Sequence, residues 1–412
     1  MASDVGKRVA KNTLWLLLGR IGSQGLALLF SVLIARRLGE AGLGQYAFLA
    51  SVIFIGNLAS TFGTDMLVMR EVAGKRDLSL VPRSLFVQLA LSVPFIILVF
   101  FVAPVLPNQS VDAIQALRIY SLALIPMAFY SVFSALLRGL ERMDAFTWLN
   151  ILNGALLVVL AFLFVRPSTS MASLAWLLLF AQLISALAAL LLSWLVLRKS
   201  PSWRPAWNQL AALLAAAAPI AALGLLGAVY QRSGILLVTT MQGAAATGSF
   251  SAALRVVEAA KLGHFALLGA LFPAMSQAHL VQSRTYKNVF AASLKLLLLL
   301  ALLLAGLLFL FSEHLVPLLF GQEFSGSGSQ LKILAWLLLP VTFTHYFSLR
   351  LLAAKQEKPI MISLAAALCV LIGFAWATMP HWGLFGMVWG MLIAESAQAG
   401  ILVYYWRRQA AD

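Results

Sequence analysis

Again and again along its 412 residues the chain runs through about 20 apolar residues before it meets a polar break, and no water-soluble fold can bury that many such stretches. Windows of this length give candidate spans near 12-34, 43-66, 84-105, 115-137, 145-165, 172-197, 209-231, 247-275, 288-312, 330-352, 359-380 and 383-406. The stretch from 209 to 275 has the shortest central break. Composition points the same way, with 62% apolar and only 10% charged residues. The expected class is an all-α integral membrane protein of twelve transmembrane helices.

The basic residues give these spans a direction, because Lys and Arg in short loops stay on the cytoplasmic side. With the N-terminus inside, eighteen of the 29 Lys and Arg fall on inner segments, and only Arg36, Arg37, Arg118, Arg166 and Lys332 fall outside. The remaining six, Arg20, Arg232, Arg255, Lys261, Lys295 and Arg350, lie within spans. Both termini are therefore expected in the cytoplasm. The net charge of +15 reads as topology facing anionic lipid headgroups, not as a nucleic-acid surface. The first apolar stretch, from about Asn12 to Ile34, is too long for the core of a removable signal peptide. The single cysteine, Cys369, excludes a disulfide within the chain.

A weak internal repeat organises the spans. Gly39, Gly44 and Tyr46 return as Gly243, Gly248 and Phe250, and Val32-Leu33-Ile34 is matched by Leu236-Leu237-Val238, all at a separation of 204 residues. Duplication in a membrane chain is typical of transporters built from two bundles around a central site. Six spans per half is an even number, so both halves should share one orientation, related by an axis along the membrane normal. The expected lobes are residues 1-200 and 201-412, and both copies of the repeat are expected as helix-connecting turns at the outer rims.

The connections are too short to fold into a soluble domain, and this argues against an enzyme with an external catalytic loop. His264, His279, His314, His345 and His381 have no metal-ligand spacing, and no nucleophile elbow, phosphate loop or carboxylate pair occurs. Neither a catalytic group nor a resident metal or cofactor is expected. The glycine-rich stretch from Gly321 to Gly328 reads as a flexible connector.

Charges at membrane depth are the candidates for function, since each costs roughly 2.5 to 3.5 kcal/mol to insert and so faces a bundle interior or wet cavity. Arg20 lies about eight residues, some ~12 Å, into the first span. It would either line a substrate cavity or pair with Asp65 or carbonyls. Arg255, Glu258, Lys261 and His264 follow at steps of three, each step drifting about −60° around the helix, and together they define a broad polar sector. Glu258 can neutralise one of its two basic neighbours, which leaves the triplet net positive. It is either a structural ion cluster or a cavity wall that attracts anions. Arg232, Lys295 and Arg350 sit near span ends and can snorkel. Glu395 is an acid at depth that could pair with a base, bind a coupling cation or stay protonated. Asp65, after Gly63, is placed near the interface; with Arg232 and Glu395 it completes the residues considered for coupling or gating.

These residues resemble a known family, the O-antigen type (Wzx-like) polysaccharide flippases of the multidrug/oligosaccharidyl-lipid/polysaccharide (MOP) exporter superfamily. The similarity begins at Lys11-Asn12-Thr13-Leu14-Trp15, Ala35-Arg36-Arg37-Leu38-Gly39, Gly44-Gln45-Tyr46 and Met69-Arg70-Glu71-Val72-Ala73. It continues through Gly248-Ser249-Phe250, Leu271-Phe272-Pro273-Ala274-Met275-Ser276, Leu319-Phe320-Gly321-Gln322-Glu323-Phe324 and Gly383-Leu384-Phe385-Gly386. One departure is Arg232-Ser233-Gly234, where many relatives carry Arg-x-Asp; the missing acid puts a gating role for that pair in doubt.

The resemblance implies two six-helix lobes in a V-shaped transporter of the bacterial inner membrane. It would move a polyprenyl-pyrophosphate-linked oligosaccharide to the outer leaflet by alternating access, as a monomeric unit serving a polysaccharide polymerase and chain-length machinery. A coupling ion, H⁺ or Na⁺, is left open. A cationic cavity suits a diphosphate and glycan, with the lipid tail left in the bilayer. The rival readings are a multidrug or organic-cation antiporter, which would favour buried acids, and a lipid II flippase, whose relatives usually have fourteen helices.

Overall fold

The computed structural model describes the backbone of residues 2–197, 210–281, 284–354 and 356–409, and side chains over 11–197, 210–261, 292–354 and 356–408. Thirteen α-helices carry the described chain: α1 (Ala2–Thr61), α2 (Thr64–Lys75), α3 (Leu80–Val102), α4 (Val111–Ser121), α5 (Leu124–Gly139), α6 (Met143–Phe164), α7 (Met171–Leu197), α8 (Leu210–Val281), α9 (Arg284–Phe320), α10 (Ser327–Leu334), α11 (Leu338–Ala353), α12 (Lys358–Trp382) and α13 (Leu384–Gln409). There is no strand among the described residues. Helix is what lipid demands, because it satisfies every backbone N–H and C=O within the segment.

The repeat is a pair of tight helix junctions. Gly39 and Gly243 each join two helices at a kink, so that α1 and α8 are each two limbs, with φ 69, ψ −170 in α1 and φ 83, ψ −173 in α8. These near-identical angles lie where only glycine is at ease, since any β-carbon would crowd the backbone there. Among the described residues, ten helical stretches are long and apolar enough to cross a membrane, Lys11–Thr61 with 51 residues and Leu210–Lys261 with 52 being two of them. At about 1.5 Å per residue each of these two is over twice the ~30 Å of a hydrocarbon core. Twelve crossings are reached only by counting the limbs on both sides of each glycine.

The chain divides into two compact units, one of Met1–Leu38 with Gln45–Val229, the other of Gly39–Gly44 with Tyr230–Asp412. The lobe boundary expected at 200/201 lies in 198–209, outside the described residues. In the first unit α5 is the central element, packed by α2, α3, α6 and α7 around Val72, Leu85, Phe133, Leu136 and Leu149. The first limb of α1 is tied to α6 by the Thr147 hydroxyl, which donates to the Trp15 carbonyl at 2.7 Å. Asp112 caps α7 from a distance in sequence, accepting from the amides of Met171 at 2.6 Å and Ala172 at 3.1 Å. That places a carboxylate at the positive end of a helix. In the turn between α2 and α3, the Ser79 amide and hydroxyl hold the Asp77 carboxyl below its ordinary range.

In the second unit α12 and α13 pack along each other, with α11 and α10 packed on α13 and on α9 around Leu297, Tyr346, Leu351 and Leu402. The glycine-rich stretch is not a loose connector. It forms a 3-10 turn over Gln322–Phe324 and the start of α10, because Phe324 is fully buried against Phe320, 5.8 Å between ring centres. Ser327 then bonds Ser249 at 2.7 Å. Outward faces are strongly apolar: Leu310 and Leu318 on α9 are 71% and 70% exposed. On helices of this length and apolarity, such surface suits contact with lipid.

Candidate functional site

Within the second unit two of the four α8 residues expected in the polar sector are in contact. Arg255 Nη1 meets Glu258 Oε2 at 3.2 Å, both side chains being mostly covered, 21% and 29% exposed. The pairing is one helical turn apart, as the step of three dictates. Lys261 is half-buried one turn further on. His264 lies outside the residues whose side chains are described. Glu258 is thus committed to Arg255, and the Lys261 charge stands beyond that pair.

Glu395 sits on α13 with only 9% of its surface exposed, and its Oε2 accepts a hydrogen bond from the Tyr230 hydroxyl at 2.8 Å. The acid is held by a phenol on α8. Sequence reasoning missed Tyr230, although it stands only two residues before Arg232, and a tyrosine within an apolar span needs a partner for its hydroxyl. The Nε of Arg232 is buried. Arg350 is committed to aromatic stacking, its guanidinium carbon 3.7 Å from the Trp406 ring centre and 5.8 Å from that of Tyr346. Lys295 is exposed.

In the first unit Arg20 is an exposed residue on the first limb of α1, flanked by exposed Leu16, Leu18 and Ile21. Asp65 begins α2 and lies 3.5 Å from Nη2 of Arg138, a residue that topology alone had assigned to an inner loop. Arg138 also stacks over Phe146 at 5.2 Å. Beside this pair, Gln88 Nε2 donates to Thr64 Oγ1 at 3.0 Å, while the Thr64 hydroxyl donates to the Thr61 carbonyl at 2.8 Å. A buried polar layer therefore closes the break between α1 and α2, where Phe62 and Gly63 both have positive φ.

Of the residues expected at the site, Arg255 and Glu258 are brought into contact, whereas Asp65 and Glu395 each meet a residue the sequence had not singled out. Among the described residues no group of three or more His, Cys, Asp or Glu could hold a metal ion.

Two long helices broken at glycine and strongly apolar outward faces define an all-helical protein of the multi-pass membrane class. The fold is similar to that of an inward-facing multidrug resistance MATE family transporter of the MOP superfamily, at TM-score 0.78 and 17% identity, over 96% of this chain and 98% of that one. It is also similar to a MOP superfamily transporter from Pyrococcus furiosus, at TM-score 0.69 and 18% identity over 98% and 96%. That protein is described as having a binding pocket of reverse polarity that suggests a different function. A MATE protein in complex with MaL6 aligns at TM-score 0.69 and 17% identity over the same shares. No curated protein matches the chain. Residues 9–279, well over half the sequence, match the polysaccharide biosynthesis protein family, and the chain belongs to that family.

Proposed function

We propose that this protein is a transporter, a flippase that carries a polyprenyl-pyrophosphate-linked oligosaccharide from the cytoplasmic to the outer leaflet of a bacterial inner membrane, by alternating access, for cell-surface polysaccharide synthesis. The observation that carries this reading is the charge balance on α8. Arg255 and Lys261 flank a single acid, Glu258, which is already paired with Arg255, so the helix retains a positive charge suited to a diphosphate. Arg20 supplies a further cation from the first unit. The polyprenyl tail would stay in lipid, so the protein need enclose only the glycan and diphosphate. Membership of a polysaccharide biosynthesis family supports a glycan cargo.

Asp65, Arg232 and Glu395 are assigned to coupling or gating, with H⁺ or Na⁺ as the driving ion. A polysaccharide polymerase and its chain-length partner would act on the exported product, and the transport unit is a monomer. The reading is tested by complementing a deletion strain with Arg20→Ala plus Arg255→Ala. Loss of displayed glycan, with normal protein levels, is the expected result; normal display would refute the assignment of these cations.

Export of organic cations is the second reading. Glu395 favours it, since a buried carboxylate can hold a cation or a proton. Drug resistance that follows Glu395 and is indifferent to Arg255 would establish this alternative.

A further inference from the structure

Arg138 has far less to bind than a buried guanidinium needs. Five N–H donors radiate from the group, yet its ion pair with Asp65 spans 3.5 Å, well beyond the ~2.7–2.9 Å of a charge-assisted bond. Its Nε is buried with no acceptor. Phe146 covers one face of the plane at 5.2 Å, and the side chain as a whole is still 23% exposed. Each unmet buried donor costs about 1–3 kcal/mol, more for a charged group. Two other bases are better provided for: Arg255 has a carboxylate at 3.2 Å, and Arg118 donates twice to the Phe100 carbonyl, at 3.2 and 2.9 Å.

The surroundings of Arg138 are those of a polar recognition site. Tyr130, two turns earlier on α5, donates to Asn150 Oδ1 at 3.1 Å, and Asn150 is itself fixed by donating to the Phe146 carbonyl at 2.8 Å. Arg83, in the first turn of α3, also has a buried Nε without an acceptor. It stands five residues before Gln88, whose amide reaches Thr64 beside Asp65, so a second cation lies toward the same end of the unit. The basic-residue bias assigns this end to the cytoplasm.

We infer that Arg138 is an anion-binding site of the first unit, taking diphosphate oxygens on the Nη groups that Asp65 engages only loosely, while Asp65 acts as the competing internal anion that holds the guanidinium when the site is empty. Two oxygens of one phosphoryl group can take parallel N–H bonds from the guanidinium, which Asp65 at its present distance does not. The proposal rests on the lipid-linked glycan reading for the identity of the anion. The location of the site rests on the geometry alone.

The test is a titration of the purified full-length protein with inorganic pyrophosphate at several salt concentrations, with thermal unfolding of each variant recorded. Arg138→Ala should weaken binding by about tenfold or more, and Arg138→Lys, a point charge without the fork, by several-fold. Asp65→Asn should tighten it by several-fold, because the internal competitor is removed. Equal binding by wild type and Arg138→Ala would overturn the site, as would a wild-type protein that binds no pyrophosphate. Weakening by Asp65→Asn to the level of Arg138→Ala would also overturn it, by showing that the pair is structural. Should Arg138→Ala fail to fold, Arg138→Lys and Asp65→Asn, which both keep the cation, decide the question. Retained pyrophosphate binding at Arg138 in a protein that does not translocate lipid-linked glycan would sink the flippase reading and leave the site standing.

Discussion

Gly44 and Gly248, corresponding members of the two repeat copies, meet at backbone contact within the second unit. A β-carbon on Gly44 would fall 1.8 Å from the Ala244 carbonyl oxygen and 2.7 Å from the Gly248 amide nitrogen; one on Gly248 would fall 1.9 Å from the Glu40 carbonyl oxygen. The contacts 40 to 248 and 44 to 244 exchange under the 204-residue repeat, so the crossing is self-complementary in the manner of a two-fold interface. The opposing atoms are backbone, which cannot swing aside. Gly44→Ala and Gly248→Ala are each expected to destabilise the protein by about 3 kcal/mol or more, the upper end of overpacking costs, read as a lowered melting temperature in detergent.

Gly39→Ala and Gly243→Ala test the backbone alone. Their φ values of 69 and 83 should cost any L side chain about 1–3 kcal/mol. At Gly243 a β-carbon meets nothing within 4 Å, whereas at Gly39 it would lie 2.9 Å from Glu323 Oε2. That carboxylate is the end of a flexible side chain, so the two variants should lose similar stability, with Gly39→Ala somewhat worse. Equal melting temperatures for wild type and Gly243→Ala would show that the break is not held by glycine.

The all-helical membrane class and the duplication were readable because both rest on period and spacing: an apolar stretch must be helical in lipid, and Gly39 and Gly243 sit at one offset. That each glycine joins two helices was readable, but not how short the junction is: a Gly-rich polar stretch looks like a longer loop in one dimension, yet the chain is helical again from Glu40 to Gly44. The same limit hid the packed turn at Phe324, whose ring is buried against Phe320. At the candidate site, the Arg255–Glu258 contact followed from helical spacing. The pairings of Glu395 with Tyr230, 165 residues apart, and of Asp65 with Arg138 come from tertiary packing that no local pattern encodes.

Tyr230→Phe removes the hydroxyl that donates to the buried Glu395 carboxylate, and should cost about 1–3 kcal/mol. Glu395→Gln keeps an acceptor for the same hydroxyl and should be milder. Combining the two changes should be markedly less than additive, since both act on one bond. Additive losses in a thermal-unfolding double-mutant cycle would show that the contact contributes nothing.

Glu258→Gln frees the Arg255 guanidinium from its pair at 3.2 Å and raises the positive charge of α8. Uptake of an anionic headgroup should strengthen by several-fold, and Arg255→Ala should weaken it by about tenfold, the worth of one charge-assisted bond. Pyrophosphate competition against a labelled lipid-linked glycan measures both. If Glu258→Gln weakens binding, the pair is needed to position Arg255.

Purified protein reconstituted into vesicles, with a fluorescent polyprenyl-pyrophosphate oligosaccharide in one leaflet, tests the central claim most directly. Probe movement to the opposite leaflet at a rate well above that of protein-free vesicles, and abolished by Arg20→Ala plus Arg255→Ala, is the predicted result. Probe that stays in its original leaflet while the same vesicles transport an organic cation would contradict it.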